Sequence, residues 1–193
     1  LSFTRDEILE LWEHLTPDEQ AEIMSLFDQM PIWTPIAGVQ TQAYLSKATI
    51  TGYGGAAGGG KTDLAVGLAL TEHQRVMIVR DEAKQLKGIT DRIIEIVGHR
   101  KGFNSVGGAW TNPVPSCLID LLGIPNIGDE TKMQGVPHDL IVFDETANLR
   151  ESQVRFLMGW LRSADPKQRK RVLMTFNPPT TAEGRWVIDY FKP

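Results

Sequence analysis

A mostly parallel β-sheet flanked by helices is the fold this sequence predicts, and three observations lead to it. From Ala48 onward, short β-rich runs alternate with helical stretches. A glycine-rich octet, Gly55-Ala56-Ala57-Gly58-Gly59-Gly60-Lys61-Thr62, stands between the first of these runs and the helical stretch after it. An apolar run, Asp139 to Phe143, ends in adjacent carboxylates, Asp144 and Glu145. That is expected where a buried parallel strand delivers acids to the carboxyl edge of a sheet.

Taken in order, residues 1–34 read as a helical arm and residues 35–193 as the core domain. In the arm, Ile8, Leu9, Leu11, Trp12 and Leu15 are spaced to share one helical face. Thr16-Pro17-Asp18-Glu19 starts a second helix: Thr16 offers the N-cap oxygen, Pro17 suits the first helical position and Glu19 completes a capping box. Ile23, Met24, Leu26 and Phe27 form its apolar side. Pro31, Pro35 and Gly38 predict an extended connection, because proline cannot continue a helix and disfavours it for the residue before. Strands are expected near Ala48–Tyr53, Arg75–Arg80, Ser116–Leu121, Leu140–Asp144 and Val172–Phe176. Helices are expected over Thr62–Leu70, Glu82–Val97, Ser152–Leu161 and Ala182–Phe191. Gly102 to Pro115, rich in Gly and Pro around Trp110, predicts a loop or small hairpin.

The bulk properties narrow the function. A chain of 193 residues, 41% hydrophobic and 23% charged, has the balance of a soluble globular domain, and no apolar run reaches bilayer length. Cys117 is the only cysteine, so no intramolecular disulfide forms, and a reducing cytoplasm, here that of a host cell, is the simplest compartment. A formal net charge of -4 argues against a domain that coats DNA with a basic face. The basic clusters His99-Arg100-Lys101 and Lys167 to Arg171 sit in expected connections, where a solvated charge run is the commoner explanation. The abrupt start at Leu1 and end at Pro193 read as those of a piece of a longer protein.

The octet fits the G-x-x-x-x-G-K-[ST] pattern in the strand-to-helix context that pattern requires. Small residues at Gly55, Ala56, Ala57, Gly58, Gly59 and Gly60 let successive N–H groups curl around phosphate oxygens. Lys61 then reaches the β- and γ-phosphates. Thr62 offers a hydroxyl to Mg²⁺ where the positive end of the helix dipole faces the anion. Asp144 helps to hold Mg²⁺, and Glu145 is placed to act as general base toward water. The two motifs are far enough apart to leave room for another strand between them in the sheet. The expectation is therefore a P-loop NTPase of the additional-strand, catalytic-glutamate type, hydrolysing ATP with Mg²⁺.

Gly54 to Leu64, Phe143-Asp144-Glu145 and Thr175-Phe176-Asn177-Pro178 together resemble the large terminase subunit of tailed bacteriophages, over roughly Trp33 to Phe191. The resemblance implies an ATPase motor that drives double-stranded DNA into a procapsid. Its implied partners are a portal protein, a small terminase subunit and further copies of itself in a ring, with no membrane. A nuclease half follows this part in the family, and no nuclease constellation is visible here. Gln40 matches the family's adenine-contacting glutamine, with Gln42 a weaker candidate. Thr175 and Asn177 match the motif that senses the γ-phosphate.

The chain departs from the terminases that carry an arginine inside the P-loop, since Gly and Ala fill every position between Gly55 and Lys61. Another cation is then expected to neutralise transition-state charge. Lys132 and Arg162 are candidates for action on a neighbouring subunit, with Arg80 a further alternative. A helicase-type translocase and a nucleotide-gated assembly protein are the competing readings. The first would want a second motor core, and the second has no need of Glu145 as a base.

Overall fold

A computed structural model describes residues 12–111 and 117–192, with two compact units dividing after Ile32. In the first unit, a 3₁₀ turn at Trp12–His14 precedes α1 (Pro17–Gln29). The capping box forms as expected: the Thr16 N–H donates to Glu19 Oε2 at 2.8 Å, and the Glu19 N–H donates back to Thr16 Oγ1 at 3.4 Å. The expected first helix, with Ile8, Leu9 and Leu11, lies outside the described residues, as do the side chains of Met24, Leu26 and Phe27.

The second unit, from Trp33, is a seven-stranded sheet with helices on both faces. The strands are β1 (Ile50–Gly54), β2 (Arg75–Arg80), β3 (Phe103–Asn104), β4 (Ala109–Thr111), β5 (Leu118–Gly123), β6 (Leu140–Phe143) and β7 (Arg171–Phe176). Their order across the sheet is β1-β7-β6-β2-β5-β4-β3. The first five in that order run parallel, and the short β3–β4 hairpin adds antiparallel at the edge. The helices are α2 (Val39–Leu45), α3 (Lys61–Thr71), α4 (Leu86–Val97), α5 (Glu151–Met158) and α6 (Trp186–Phe191).

Period-two burial explains why the central strands read as unbroken apolar runs. Met77, Val79, Ile141, Phe143, Val172 and Met174 join one core with Leu149, Val154 and Leu157, against which Trp186, Tyr190 and Phe191 pack. Their neighbours Val76, Ile78, Leu140, Val142 and Leu173 are equally buried and serve the other face, where α3 lies on β7 and α4 on β5. Cys117 is buried, and burial pushes its thiol up to about 12, so it is an inert packing group.

Three expectations need correction. The stretch after Pro35 is not wholly extended, because Val39–Leu45 forms α2. Arg171, fully buried at the start of β7, donates Nη1 to Tyr44 O at 3.0 Å and Nη2 to Ala43 O, satisfying carbonyls at the end of that helix. Tertiary contact thus supports a helix too short to be read from periodicity. Second, the strand lying between the P-loop strand β1 and the acid strand β6 is β7, which follows both motifs in sequence. Third, two expected helices begin as 3₁₀ turns, Ala83–Gln85 and Glu183–Arg185, and the helix expected to reach Leu161 ends at Met158. There Leu161 bridges to His138 instead.

Candidate nucleotide-binding and hydrolytic site

Parallel strands share one carboxyl edge, and here that edge collects the chemistry. The P-loop leaves the end of β1, Arg80 ends β2, Asp144 and Glu145 follow β6, and Asn177 follows β7. A cleft of about 520 Å³ is lined by Ala57 to Asp63, Arg80, Arg92, Glu145 and Asn177, among others.

The loop takes its shape from glycine and from three side chains. Gly58 and Gly60 lie at φ 81° and 68°, the left-handed region that other residues enter at a cost, and Gly60 forms the N-cap of α3. Helix α3 begins at Lys61, so the N–H groups of its first turn have no partner within the helix and face the cleft. The Tyr53 hydroxyl donates to Gly59 O at 3.0 Å, and Gln40 Nε2 donates to Gly60 O at 3.0 Å. Lys61 Nζ folds back to donate to Gly55 O at 3.0 Å and Ala56 O at 2.6 Å.

Gln40 is buried, and its amide is spent inside the protein, on Gly60 O, on Asp63 Oδ2 and on the Ile36 N–H. Gln42 instead lines a second hollow beside the loop, with Val39, Tyr53 and Lys61. Asp63, next to Thr62, is the hub of a network that sequence reasoning missed. It accepts from Trp33 Nε1 at 3.2 Å and from Arg92 Nε and Nη2 at 2.8 and 2.6 Å. Bonds donated to Glu95 and Asp63 raise the Arg92 guanidinium pKa above its ordinary value. The Trp33 ring occupies the space a Cβ on Gly67 would need, so the segment before β1 is seated on the P-loop helix. No signal in the sequence links residues thirty positions apart in this way.

On the acid side, Asp144 is 1% exposed and both its oxygens are engaged. Oδ2 accepts from Arg80 Nε at 2.8 Å and Nη2 at 2.6 Å, and Oδ1 accepts from the Thr175 hydroxyl. The Glu145 N–H donates to Thr175 Oγ1 at 3.2 Å, so Thr175, itself fully buried, ties the two acids together. Glu145 has φ 57°, the one non-glycine residue with positive φ among the described residues. That conformation turns its half-exposed carboxylate into the cleft, with Oε1 3.5 Å from Arg80 Nη2. Asn177 lines the same cleft.

Among the described residues, no group of three or more His, Cys, Asp or Glu could hold a metal by itself. The oxygen donors present, the Thr62 hydroxyl and the Asp144 carboxylate, fit Mg²⁺, which keeps waters and phosphate oxygens as its other ligands. Lys132 and Arg162 lie elsewhere. Lys132 pairs with Asp129 at 2.7 Å beside a different hollow, near Arg100 and Val106. The Arg162 guanidinium lies over the Trp160 ring, and the Arg162 backbone N–H donates to His138 O at 2.8 Å, near the start of β6 and thus at the opposite sheet edge. Neither lines the cleft.

This fold and site define a P-loop NTPase fold with a strand inserted between the loop strand and the acid strand. Comparison with solved structures finds the same fold in phage large terminases. The ATPase domain of the Thermus phage P74-26 large terminase matches 92% of this chain and 74% of its own, with a TM-score of 0.57 at 16% identity. The large terminase of the thermophilic bacteriophage D6E matches 75% of this chain with a TM-score of 0.56 at 16% identity. That of bacteriophage HK97 matches 92% with a TM-score of 0.54 at 13% identity. The chain spans 40% of the D6E chain and 37% of the HK97 chain. No protein-family model and no curated protein matches the sequence.

Proposed function

We propose that this chain is the ATPase motor domain of a viral DNA-packaging terminase, hydrolysing ATP with Mg²⁺ to move double-stranded DNA into a procapsid. The observation that carries the proposal is the placement of Glu145. A carboxylate held in a strained backbone conformation, beside a buried aspartate and facing a P-loop, suits a hydrolase and has no purpose in a passive binding switch.

In this reading the N–H groups of the loop and Lys61 cradle the phosphates. Thr62 and Asp144 hold Mg²⁺, which when bound offsets charge on the β- and γ-phosphates. Glu145 takes a proton from a water whose oxygen attacks the γ-phosphorus, and the bond to the β,γ-bridging oxygen breaks to leave ADP. Asn177, from the lining of the cleft, senses the γ-phosphate, and Thr175, bonded to both acids, passes any shift of theirs to β7. Portal protein, small terminase subunit and a homo-oligomeric ring in the host cytoplasm complete the proposal.

Phosphate release and fluorescent ADP binding test it. Lys61→Ala should lose turnover together with nucleotide affinity. Glu145→Gln should keep affinity within about tenfold while turnover falls by about two orders of magnitude or more, the scale of a lost general base. Normal hydrolysis in Lys61→Ala would refute the proposal. Stimulation by procapsids separates a packaging motor from a helicase-type translocase.

A further inference from the structure

The cation that the P-loop lacks is present at the end of β2, the strand beside the acid strand β6. Lys61, Arg80 and Arg92 are the cations lining the cleft among the described residues. Lys61 is placed for the loop's own phosphates, and Arg92 is committed to Asp63 and Glu95. Arg80 alone reaches the acid pair. The register of β2 against β6 pairs Val79 with Phe143, and the Asp144 N–H donates to Val79 O at 2.9 Å, so Arg80 and Asp144 leave the sheet side by side. Two guanidinium nitrogens grip Asp144 Oδ2, a third donates to Gln85 O at 3.1 Å, and Glu145 lies at the edge of reach.

Resting on the proposed function, we propose that Arg80 is a two-position cation acting within its own subunit. In one position it grips the carboxylate that Mg²⁺ needs. When metal and nucleotide enter, it releases Asp144 and turns to the γ-phosphate, where it stabilises the charge that develops there. With two Arg80 nitrogens on Oδ2 and the Thr175 hydroxyl on Oδ1, both oxygens of the buried Asp144 already have donors, and the guanidinium repels a divalent ion at short range. Displaced from Asp144, an arginine anchored at the end of β2 still projects into a cleft whose strongest anion is the triphosphate. Metal binding and delivery of the charge-stabilising group thereby become one event.

The test needs a readout that a purely structural ion pair would not move. Mn²⁺ binding is followed by electron paramagnetic resonance without nucleotide, on wild type, Arg80→Gln and Arg80→Lys, with Asp144→Asn as the zero. Thermal melts and circular dichroism confirm folding of each, and Arg80→Lys, which keeps the charge, covers the case in which Arg80→Gln fails to fold. Expected is Mn²⁺ affinity raised about tenfold in Arg80→Gln, with turnover reduced about 10³-fold or more. Arg80→Lys should move both in the same directions by less. Mixing Arg80→Gln with Glu145→Gln should restore nothing, because both lesions lie in one site. Unchanged Mn²⁺ affinity, unchanged turnover or recovery on mixing overturns the assignment to Arg80. Absence of nucleotide binding and hydrolysis in the wild type would instead overturn the hydrolase reading on which it rests.

Discussion

Glu145 is where residue-level chemistry and backbone strain meet. A side chain at φ 57° pays a steric penalty that glycine avoids, of order 1 kcal/mol. Glu145→Gly and Glu145→Ala both remove the carboxylate, its 3.4 Å contact with Asn148 and its proximity to Arg80, so comparing them isolates the backbone term. Chemical denaturation should find Glu145→Gly more stable than Glu145→Ala by about 1 kcal/mol, with both losing hydrolysis. Equal stabilities would show that the positive φ stores no strain. The sequence displayed Asp144 and Glu145 as a pair but could not assign them different conformations, because the turn that separates them is set by Thr175 and Thr146 from opposite sides. The Thr146 hydroxyl donates to Phe143 O at 2.7 Å and to Thr175 O at 2.9 Å.

At the level of elements, α3 carries both the end of the glycine-rich loop and the seat for the segment before β1. Gly67 lies in mid-helix, where alanine ordinarily gains about 1 kcal/mol over glycine. Here a Cβ would stand 2.3 Å from carbons of the Trp33 ring, and overpacking of this kind costs about 1–3 kcal/mol. Gly67→Ala should therefore lower the melting temperature despite its better helix propensity. It should also weaken ADP binding severalfold, because a displaced Trp33 disturbs its 3.2 Å bond to Asp63 beside Thr62. A rise in melting temperature with unchanged binding would mean that the ring moves freely. Helix α2 shows the same dependence of an element on its surroundings: seven residues with exposed Val39 and Leu45 carry no amphipathic signature, and Arg171 and Gln40 fasten them from outside.

Across the whole molecule, the two edges of the sheet divide the labour. The carboxyl edge holds the cleft, whereas the amino edge is fastened by buried polar bonds. Asp139, 2% exposed, accepts from the Gln74 and Arg75 N–H groups at 3.0 and 3.2 Å, and His138 Nε2 lies 2.8 Å from Asp120 Oδ2. Bonds to a charged acceptor of this kind contribute about 1.5–3 kcal/mol. Asp139→Ala should thus lower the free energy of unfolding by about 3 kcal/mol. Below its melting temperature, the variant should bind ADP within about threefold of wild type, as measured by fluorescence titration. Asp144 carries comparable burial at the other edge, so Asp144→Asn should alter metal binding where Asp139→Ala does not.

The loop from Gly55 to Thr62, the paired acids and the alternation of strands with helices are local facts, fixed by which residues adjoin one another, and they were legible in the sequence. So was the capping box at Thr16. Sheet order was not, because β7 enters between β1 and β6 from a position later than either, and chain order does not state which strands pair. Nor could the sequence show that Gln40 is buried against Gly60, that Asp63 gathers Trp33 and Arg92, or which of Lys132, Arg162 and Arg80 stands at the acids. Those depend on distances between residues many positions apart. Parallel pairing decides them, bringing the ends of β1, β2, β6 and β7 to one edge and leaving Arg162 at the other.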